Sequence, residues 1–427
     1  MPPNPLWKDE SGRKTINDIV KKVLPAWTQG LRPFQLDLVA PILDGDDILC
    51  CTATGDGKSA AFSVPLLVLN EYNLNPHLYP KGFRTRAGPV GIVVTPTKGL
   101  ARDIVLQLGK LGINGFAYCR ESLADARRSG DNITSLIKTG TKWQVICVDP
   151  EHLQEKEWRT ISDFPDFRSK LLYAAVDEAH LIREWGANFR LAFNIIGLFF
   201  RGRFPPSTSV VALSATLAPG PETSAICTSL GLFQGNFHVI RRSNERLNVQ
   251  IAMQTLTHGI GGWEFPDLLP YINGGRKFSI LCPTIDLVFR VFVYIWRIQP
   301  STADKFRRVR MYDSLCPAKY NEETIRLMEN DPGCQIIVAT IALSNGINCL
   351  SLLDSVLLTA PKSLNNGVQH LGRGARKEES LGRGVFLVQL SSLTAATKQL
   401  NGSVVHALFQ FFHNLEFNRH ILAIYSS

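Results

Sequence analysis

Short runs of apolar and β-branched residues alternate along the chain with longer stretches in which apolar residues recur at helical spacing. In the first half, five runs predict buried strands, at residues 48–51, 91–95, 145–148, 171–176 and 209–213. Leu100, Ile104, Leu108 and Leu111 are spaced as one face of a helix between two of these runs. Such an alternation is typical of a parallel sheet covered by helices on both faces.

The second half repeats this pattern, with strand-like runs at residues 278–281, 335–338, 355–358 and 384–388. A polar stretch between Gly235 and Gln250 separates the two patterns and predicts a domain boundary. Residues 70–89 are mostly polar and hold three prolines, so we expect a long surface connection there rather than a helix or strand. The predicted fold class is α/β, with two nucleotide-binding domains in tandem.

A phosphate-binding loop is predicted directly after the first strand. The segment between that strand and the apolar stretch 60–69 reads Thr54-Gly55-Asp56-Gly57-Lys58-Ser59. Its two glycines let successive backbone amides face phosphate oxygens, and the following helix adds its positive amino-terminal end. Lys58 is the candidate to hold the β- and γ-phosphates of ATP, and the Ser59 hydroxyl is a candidate ligand of Mg²⁺.

Two adjacent carboxylates follow the strand-like run 171–176. Asp177 is expected to bind the same Mg²⁺, and Glu178 to orient or deprotonate the attacking water. A Gly-Lys-Ser tripeptide alone also occurs in surface turns, but a strand-terminal Asp-Glu about 120 residues later makes ATP chemistry the favoured interpretation. We therefore expect ATP and Mg²⁺ as cofactors.

Composition and charge add limits to this picture. A chain of 427 residues with 45% hydrophobic content is long enough for two or three domains with sizeable cores. No apolar run reaches the roughly 20 residues that span a bilayer, and no signal-peptide core is present near the start, so we expect an intracellular protein without a membrane partner. The nine scattered cysteines favour reduced thiols over a zinc site. The formal charge of +9 favours a polyanionic partner.

Taken together, these elements resemble the superfamily-two helicases and, within them, the RecQ family, across residues 31–425. Residues 31–35 are similar to the family motif in which a glutamine reads the adenine edge; the matching residue is Gln35, with Arg32 nearby. Pro96 and Thr97 lie in a segment similar to motif Ia, whose loop touches the DNA backbone. Residues 149–153 resemble motif Ib.

The resemblance also assigns residues that couple the nucleotide state to strand binding. Ser214 and Thr216 lie in a segment that resembles motif III, and His180 ends the segment that begins with the paired carboxylates. These three residues are expected to transmit the presence of ATP to the bound strand.

Residues 185–190 resemble the aromatic-rich loop by which RecQ enzymes sense single-stranded DNA and trigger hydrolysis. The resemblance assigns DNA contacts to Trp185, Phe189 and Arg190. An indole ring or a guanidinium plane stacks on unpaired bases without sequence preference. The loop departs from the family at Ala187, where a histidine is usual, and at Glu184, where a glutamine is usual.

In the second domain, residues 369–376 resemble motif VI, with the spacing Gln-x-x-Gly-Arg-x-x-Arg. This motif supplies a cation across the interdomain cleft, so that the γ-phosphate charge is neutralised when both domains close. Arg376 is the predicted arginine finger, supported by Arg373 and Gln369. The family's Arg-Asp ending is replaced here by Arg376-Lys377.

The resemblance implies an ATP-dependent DNA helicase that moves 3′ to 5′ on DNA that is single-stranded or carries a 3′ single-stranded tail. We expect an N-terminal extension at 1–30, RecA-like domains at 31–240 and 241–395, and a helical remnant of the zinc-binding subdomain at 396–427. The first zinc-ligand cysteine expected near Asn418 is absent, so no zinc site is predicted. From the DNA partner alone, we expect a nuclear protein that acts in DNA repair or recombination.

Two alternatives remain open. A non-catalytic relative that still binds nucleic acid is favoured by Glu184, Ala187, Lys377 and the lost zinc ligands. The other alternative is an RNA helicase of the same superfamily, against which the loop after His180 argues.

Overall fold

The computed structural model describes residues 4–186, 190–217, 219–233, 235–243, 246–300, 304–344, 349–361, 364–376 and 380–391. The chain divides into two compact units, Met1–Asn244 and Glu245–Ser427. The predicted helical remnant at 396–427 lies outside the described residues, as do Ala187, Phe189 and Lys377. In the described ranges, no helix has both the length and the hydropathy needed to cross a membrane.

A parallel sheet of seven strands forms the centre of the first unit. In chain order its strands are β1 (Asp47–Cys51), β2 (Val90–Val94), β3 (Gly115–Tyr118), β4 (Val145–Val148), β5 (Leu171–Val176), β6 (Ser209–Ser214) and β7 (Phe237–Arg241). In space they run β3-β4-β2-β5-β6-β1-β7, and every pairing is parallel. Since parallel strands all end at one edge, that edge brings together residues that are distant in sequence.

Helices and an apolar cluster cover each face of this sheet. The helices are α1 (Glu10–Val23), α2 (Pro33–Asp44), α3 (Ala60–Leu74), α4 (Lys98–Lys110), α5 (Arg120–Arg128), α6 (Ile133–Thr139), α7 (Lys156–Ser162), α8 (Pro165–Lys170), α9 (Leu181–Gly186), α10 (Ile196–Arg203) and α11 (Pro221–Leu230). Val93 points into the cluster that holds Leu38 and Phe62, whereas its neighbour Ile92 points into the cluster that holds Phe200. The alternation of strand side chains therefore fills both layers.

A close approach between two strands fixes the middle of this sheet. A Cβ atom at Gly91 on β2 would lie 2.0 Å from the ring of Tyr173 on β5. The Tyr173 hydroxyl donates to the carbonyl oxygen of Phe62 on α3 at 2.6 Å. Glycine at position 91 thus makes room for the buried tyrosine that joins the sheet to α3.

The second unit is built around a parallel sheet of six strands. In chain order these are β8 (Val249–Leu256), β9 (Phe278–Cys282), β10 (Val309–Tyr312), β11 (Ile336–Thr340), β12 (Asp354–Leu358) and β13 (Gly382–Gln389). Their spatial order is β10-β11-β9-β12-β13-β8, with parallel pairing throughout. The described helices are α12 (Leu269–Ile272), α13 (Ile285–Ile298), α14 (Lys305–Arg308), α15 (Ala318–Asn330) and α16 (Leu364–Leu371).

A buried carboxylate ties two strands of the second sheet together. Asp354, at the start of β12, accepts hydrogen bonds from Arg276 at 2.9 Å and from the Arg383 guanidinium of β13 at 2.7 Å. Burial works to raise the pKa of Asp354, but the two arginines outweigh it and the pKa is lowered. The pair of charges on the arginines therefore keeps this buried group ionised.

The α/β class with two parallel sheets in tandem is confirmed, and each of the nine predicted strands is present. The four strands that the pattern did not predict are β3, β7, β8 and β10, and each lies at an edge of its sheet. Most of their residues are partly or fully exposed, and β7 has no buried residue. A half-exposed edge strand needs no continuous apolar run, so it gives a weak sequence signal.

The expectation for residues 70–89 is wrong at its start, because α3 continues to Leu74. Tyr72 in that helix and Phe83 beyond it are buried and pack on Trp7, with ring centroids 5.3 Å and 4.5 Å from the indole. Two aromatic anchors therefore fix a stretch whose composition is mainly polar.

Candidate active site

The carboxyl-terminal edge of the first sheet collects the predicted nucleotide residues. The phosphate-binding loop follows β1, the paired carboxylates and His180 follow β5, and Ser214 and Thr216 end or follow β6. Parallel pairing of β1 with β6 and of β6 with β5 makes these three strand ends neighbours. Residues separated by more than a hundred positions thus meet at one edge.

The backbone of the phosphate-binding loop adopts a shape that requires glycine. Gly55 and Gly57 have φ angles of 95° and 92°, in the left-handed region. The Gln35 side chain donates to the Gly57 carbonyl oxygen at 3.2 Å and accepts from the Arg32 backbone N–H at 3.0 Å. Gln35 therefore connects the loop to the start of α2, where the resemblance expects the adenine contact.

Lys58 lies inside this loop, and its ammonium group donates to the carbonyl oxygens of Thr52 at 2.7 Å and Ala53 at 2.9 Å. Burial lowers the Lys58 pKa, and the charges of Glu178 and Asp177 oppose that effect. Lys58 and the two carboxylates are therefore close enough to act electrostatically on one another. Ser59 is exposed and directly precedes α3. Thr54, on the same loop, is partly exposed.

The two carboxylates leave β5 through a strained turn. The Asp177 N–H donates to the Val94 carbonyl oxygen at 3.0 Å, which extends the pairing of β5 with β2 by one residue. Glu178 has a φ angle of 52°, which is unusual for a residue other than glycine. Its N–H donates to the Asp177 carboxylate at 3.0 Å. Backbone strain of this kind is concentrated at functional sites.

Ser214, at the end of β6, joins the segments predicted to couple nucleotide and strand. Its hydroxyl lies 3.1 Å from His180 Nδ1 and accepts from the Thr216 N–H at 3.2 Å. His180 Nδ1 is also 3.6 Å from a carboxylate oxygen of Glu178. The three predicted coupling residues therefore form one buried group that reaches the Glu178 carboxylate.

Arg190 joins the two segments that the resemblance assigns to DNA and the segment that resembles motif Ib. Its guanidinium donates to the Glu151 carboxylate, with Nε at 2.6 Å from Oε1, and to the Pro96 carbonyl oxygen. Burial works to raise the pKa of Glu151, but the bonds from Arg190 outweigh it and the pKa is lowered. Arg190 is thus held in place by a protein carboxylate and a backbone carbonyl oxygen.

Among the other residues predicted to contact DNA, Thr97 is the N-cap of α4. Its hydroxyl accepts from the Leu100 N–H at 3.3 Å and caps α4. Trp185 belongs to α9, and Phe189 lies outside the described residues. Glu151 was not predicted as a site residue, although Glu151 lies in the segment that resembles motif Ib.

A cavity of about 260 Å³ lies beside the phosphate-binding loop. The residues that line it include Trp27, Gln35, Gly57, Ser59 and Gln107. Its size and its contact with the Gln35 side chain fit part of a nucleotide.

The predicted arginines belong to the second unit. Gln369, on α16, and Arg373 beyond it are 4% and 6% exposed, and Arg376 is partly exposed. Their loop is held by Arg246, which donates to the carbonyl oxygens of Gly372 at 2.7 Å and Gly374 at 3.1 Å and also to that of Ala375.

Asn248 adds to this support by donating to the Ala375 and Ser380 carbonyl oxygens at 2.7 Å and 2.9 Å. Arg246 lies in the polar stretch that predicts the domain boundary, and its support of this loop was not predicted. No pattern of hydrophobic positions marks a side chain that bonds to backbone more than a hundred residues away.

Residues 32–224 match the family model of the DEAD/DEAH box helicases. The putative ATP-dependent RNA helicase R290 of Acanthamoeba polyphaga mimivirus is 26% identical over 358 residues, covering 82% of this chain and 56% of that protein. The ATP-dependent DNA helicase RecQ of Haemophilus influenzae is 24% identical over 383 residues, covering 88% and 54%. The chain spans about half the length of the curated relatives it matches.

Among solved structures, that of the helicase MrfA bound to DNA and AMPPNP has a TM-score of 0.71 at 17% identity, covering 94% of this chain and 53% of that one. Similarity at this level of identity concerns the fold, which is that of tandem RecA-like domains. The resemblance inferred from the motifs is confirmed by relatives that carry the RecQ name.

Proposed function

We propose that this chain, a RecQ-like member of the superfamily-two helicases, hydrolyses ATP and uses the energy to move 3′ to 5′ along single-stranded DNA. The observation that carries this proposal is the convergence of Lys58, Asp177 and Glu178 at one edge of the first sheet. A cation for the phosphates and a carboxylate pair for metal and water are what phosphoryl transfer to water needs.

Mg²⁺ is the proposed second cofactor. The Ser59 hydroxyl and the Asp177 carboxylate are hard oxygen donors, and Mg²⁺ prefers such donors together with phosphate oxygens and water. The residues present therefore fit this ion, which supplies charge neutralisation at the β- and γ-phosphates. Glu178, with its strained backbone, would orient the attacking water.

Single-stranded DNA is the proposed track. Arg190 bonds to the Pro96 carbonyl oxygen and to Glu151, so that the two segments with an expected DNA contact are neighbours and both adjoin the segment that resembles motif Ib. The relatives named RecQ are DNA helicases by name, which supports DNA as the partner.

Phosphate release measured with no nucleic acid, with single-stranded DNA and with single-stranded RNA tests the proposal. We expect hydrolysis that DNA stimulates at least tenfold more than RNA does, and that Lys58→Ala removes. Absence of hydrolysis under all three conditions would instead select a non-catalytic nucleic-acid-binding relative.

Direction is tested separately, with duplexes that carry a single-stranded tail at either the 3′ or the 5′ end. ATP-dependent displacement of the shorter strand should occur only with the 3′ tail. Displacement only with the 5′ tail would overturn the proposed polarity and leave the ATP site unaffected.

RNA is the second candidate track, and one observation favours it. The relative from Acanthamoeba polyphaga mimivirus is named an RNA helicase and is 26% identical over 82% of this chain. Stronger stimulation by RNA than by DNA in the same phosphate-release assay would select this candidate.

A further inference from the structure

The phosphate-binding loop contains a carboxylate, Asp56, between its two glycines. A triphosphate is an anion, so a carboxylate in the loop that cradles it weakens binding unless a positive charge offsets it. Asp56 lies two residues before Lys58, the candidate to hold the phosphates, so its charge acts close to them. The loop therefore needs a compensating cation.

Arg242 provides that charge from the segment that follows β7. Its Nε lies 4.0 Å from a carboxylate oxygen of Asp56. Its backbone N–H donates to the Cys51 carbonyl oxygen at 2.9 Å, and its guanidinium carbon lies 4.5 Å from the ring centroid of Phe34. Arg242 is therefore held at its backbone by the end of β1 and at its guanidinium by a ring of α2.

We propose that Arg242 is a positioning residue of the nucleotide site, which offsets the charge of Asp56 so that the phosphate-binding loop accepts a triphosphate. This inference rests on the proposed ATP-binding function. Arg242 acts through Asp56, so its effect exists only while the carboxylate is charged and present. The side chains of Arg242 and Asp56 are 48% and 26% exposed, so water screens the pair and the expected effect is modest.

A double-mutant cycle tests the proposal through equilibrium binding of a fluorescent ATP analogue at low salt. Arg242→Gln should weaken binding about two- to fivefold, which is the range of a partly exposed ion pair. Asp56→Asn should bind at least as tightly as the wild type. In the Asp56→Asn background, Arg242→Gln should have no further effect, because the charge that it offsets is gone.

Two further measurements separate this role from a purely structural one. The loss caused by Arg242→Gln should be larger for the ATP analogue than for the corresponding ADP analogue, because repulsion grows with ligand charge. The loss of affinity caused by Arg242→Gln should also become smaller as the salt concentration rises. Arg128→Gln is the matched control, since it removes an exposed arginine paired with Asp125 in the same unit and should leave nucleotide affinity unchanged.

An equal loss from Arg242→Gln with and without Asp56 would overturn the inference and indicate direct contact of Arg242 with the ligand. No loss in either background would overturn it as well. In both cases, tight wild-type binding that Lys58→Ala abolishes would leave the proposed function intact. A wild-type protein that binds no ATP analogue would refute the proposed function together with this inference.

Discussion

The two units contain the same kind of parallel sheet but position their site residues in different ways. In the first unit, Lys58, Asp177 and Ser214 follow or end buried strands, and backbone pairing between neighbouring strands fixes them. In the second unit, the arginine-bearing loop follows a helix and is held by the side chain of Arg246, 126 residues before Gly372. A site built on strand ends depends on the whole sheet, whereas a loop held by the side chains of Arg246 and Asn248 depends on a few residues.

The largest expected effect is on the chemistry of the first unit. Lys58→Ala should reduce ATP hydrolysis by about 10³-fold, roughly 4 kcal/mol, because the cation that neutralises the phosphates is lost. The free energy of unfolding should change little, since burial of the ammonium group already costs energy, as its lowered pKa indicates. Phosphate release and urea unfolding measure the two quantities.

Lys81→Ala is the matched control, because Lys81 is exposed in the same unit. Hydrolysis by Lys58→Ala within a factor of two of the rate of Lys81→Ala would contradict the assignment of the phosphate-binding loop.

The second-largest effect is expected when the side chain that supports the loop 372–375 of the second unit is removed. Arg246→Ala removes donors from the carbonyl oxygens of Gly372, Gly374 and Ala375 and should lower the free energy of unfolding by about 3 kcal/mol. Hydrogen exchange of the backbone N–H groups of residues 372–375 should accelerate. Hydrolysis should also fall, although Arg246 lies outside every motif that the resemblance identified.

Arg326→Ala is the control for this variant, because Arg326 is exposed and pairs only locally with Glu323 among the contacts described for it. Its effect on stability should stay below about 0.5 kcal/mol. Similar losses for the two variants would mean that the loop does not depend on Arg246.

The third prediction concerns His370, which lies on α16 beside the predicted arginines. Burial and the charge of Arg373 lower the His370 pKa to about 3. The unfolded chain takes up this proton near pH 6.5 and the folded chain does not, so stability is full above that pH and is lost as the pH falls. At pH 5 this group lowers the free energy of unfolding by about 2 kcal/mol.

Urea unfolding from pH 8 to pH 5 measures this effect. In His370→Gln, the decline in stability over that range should be about 2 kcal/mol smaller than in the wild type. Parallel declines in the two proteins would show that His370 is not held neutral.

The smallest effect is expected at Ser214. Ser214→Ala removes the hydroxyl that contacts His180 and the Thr216 N–H, which should cost about 1 kcal/mol of stability. Stimulation of hydrolysis by DNA should fall several-fold if this group couples the nucleotide to the strand. Ser162→Ala, which also removes a buried hydroxyl, should leave the stimulation unchanged.

The interior strands and the glycine-rich loop after β1 could be predicted from the sequence, because both have patterns in consecutive residues. A strand buried on both faces needs a continuous apolar run, as 171–176 shows, and a phosphate-binding loop needs glycines next to its lysine and serine. The paired carboxylates could be assigned for the same reason, since they follow such a run directly.

The edge strands and the side chains that support loops could be identified only from the tertiary structure. Val309–Tyr312 forms β10 at the edge of its sheet, yet its sequence neighbours are arginines and only Val309 is buried. Arg190 is predicted to contact DNA, and the structure adds its ion pair with Glu151, which lies 39 residues away in the sequence. Neither outcome follows from residue order, because each depends on which partner lies across the fold.

The sequence by itself determined that this protein has two α/β units, with a glycine-rich loop and an acidic strand end in the first, since burial and tight turns impose patterns on consecutive residues. Only the tertiary structure decided which charges meet. It brings Arg242 to Asp56, Arg190 to Glu151 and Arg246 to the loop after α16. An arginine pairs with an acceptor within about 4 Å in space, whatever the number of residues between them.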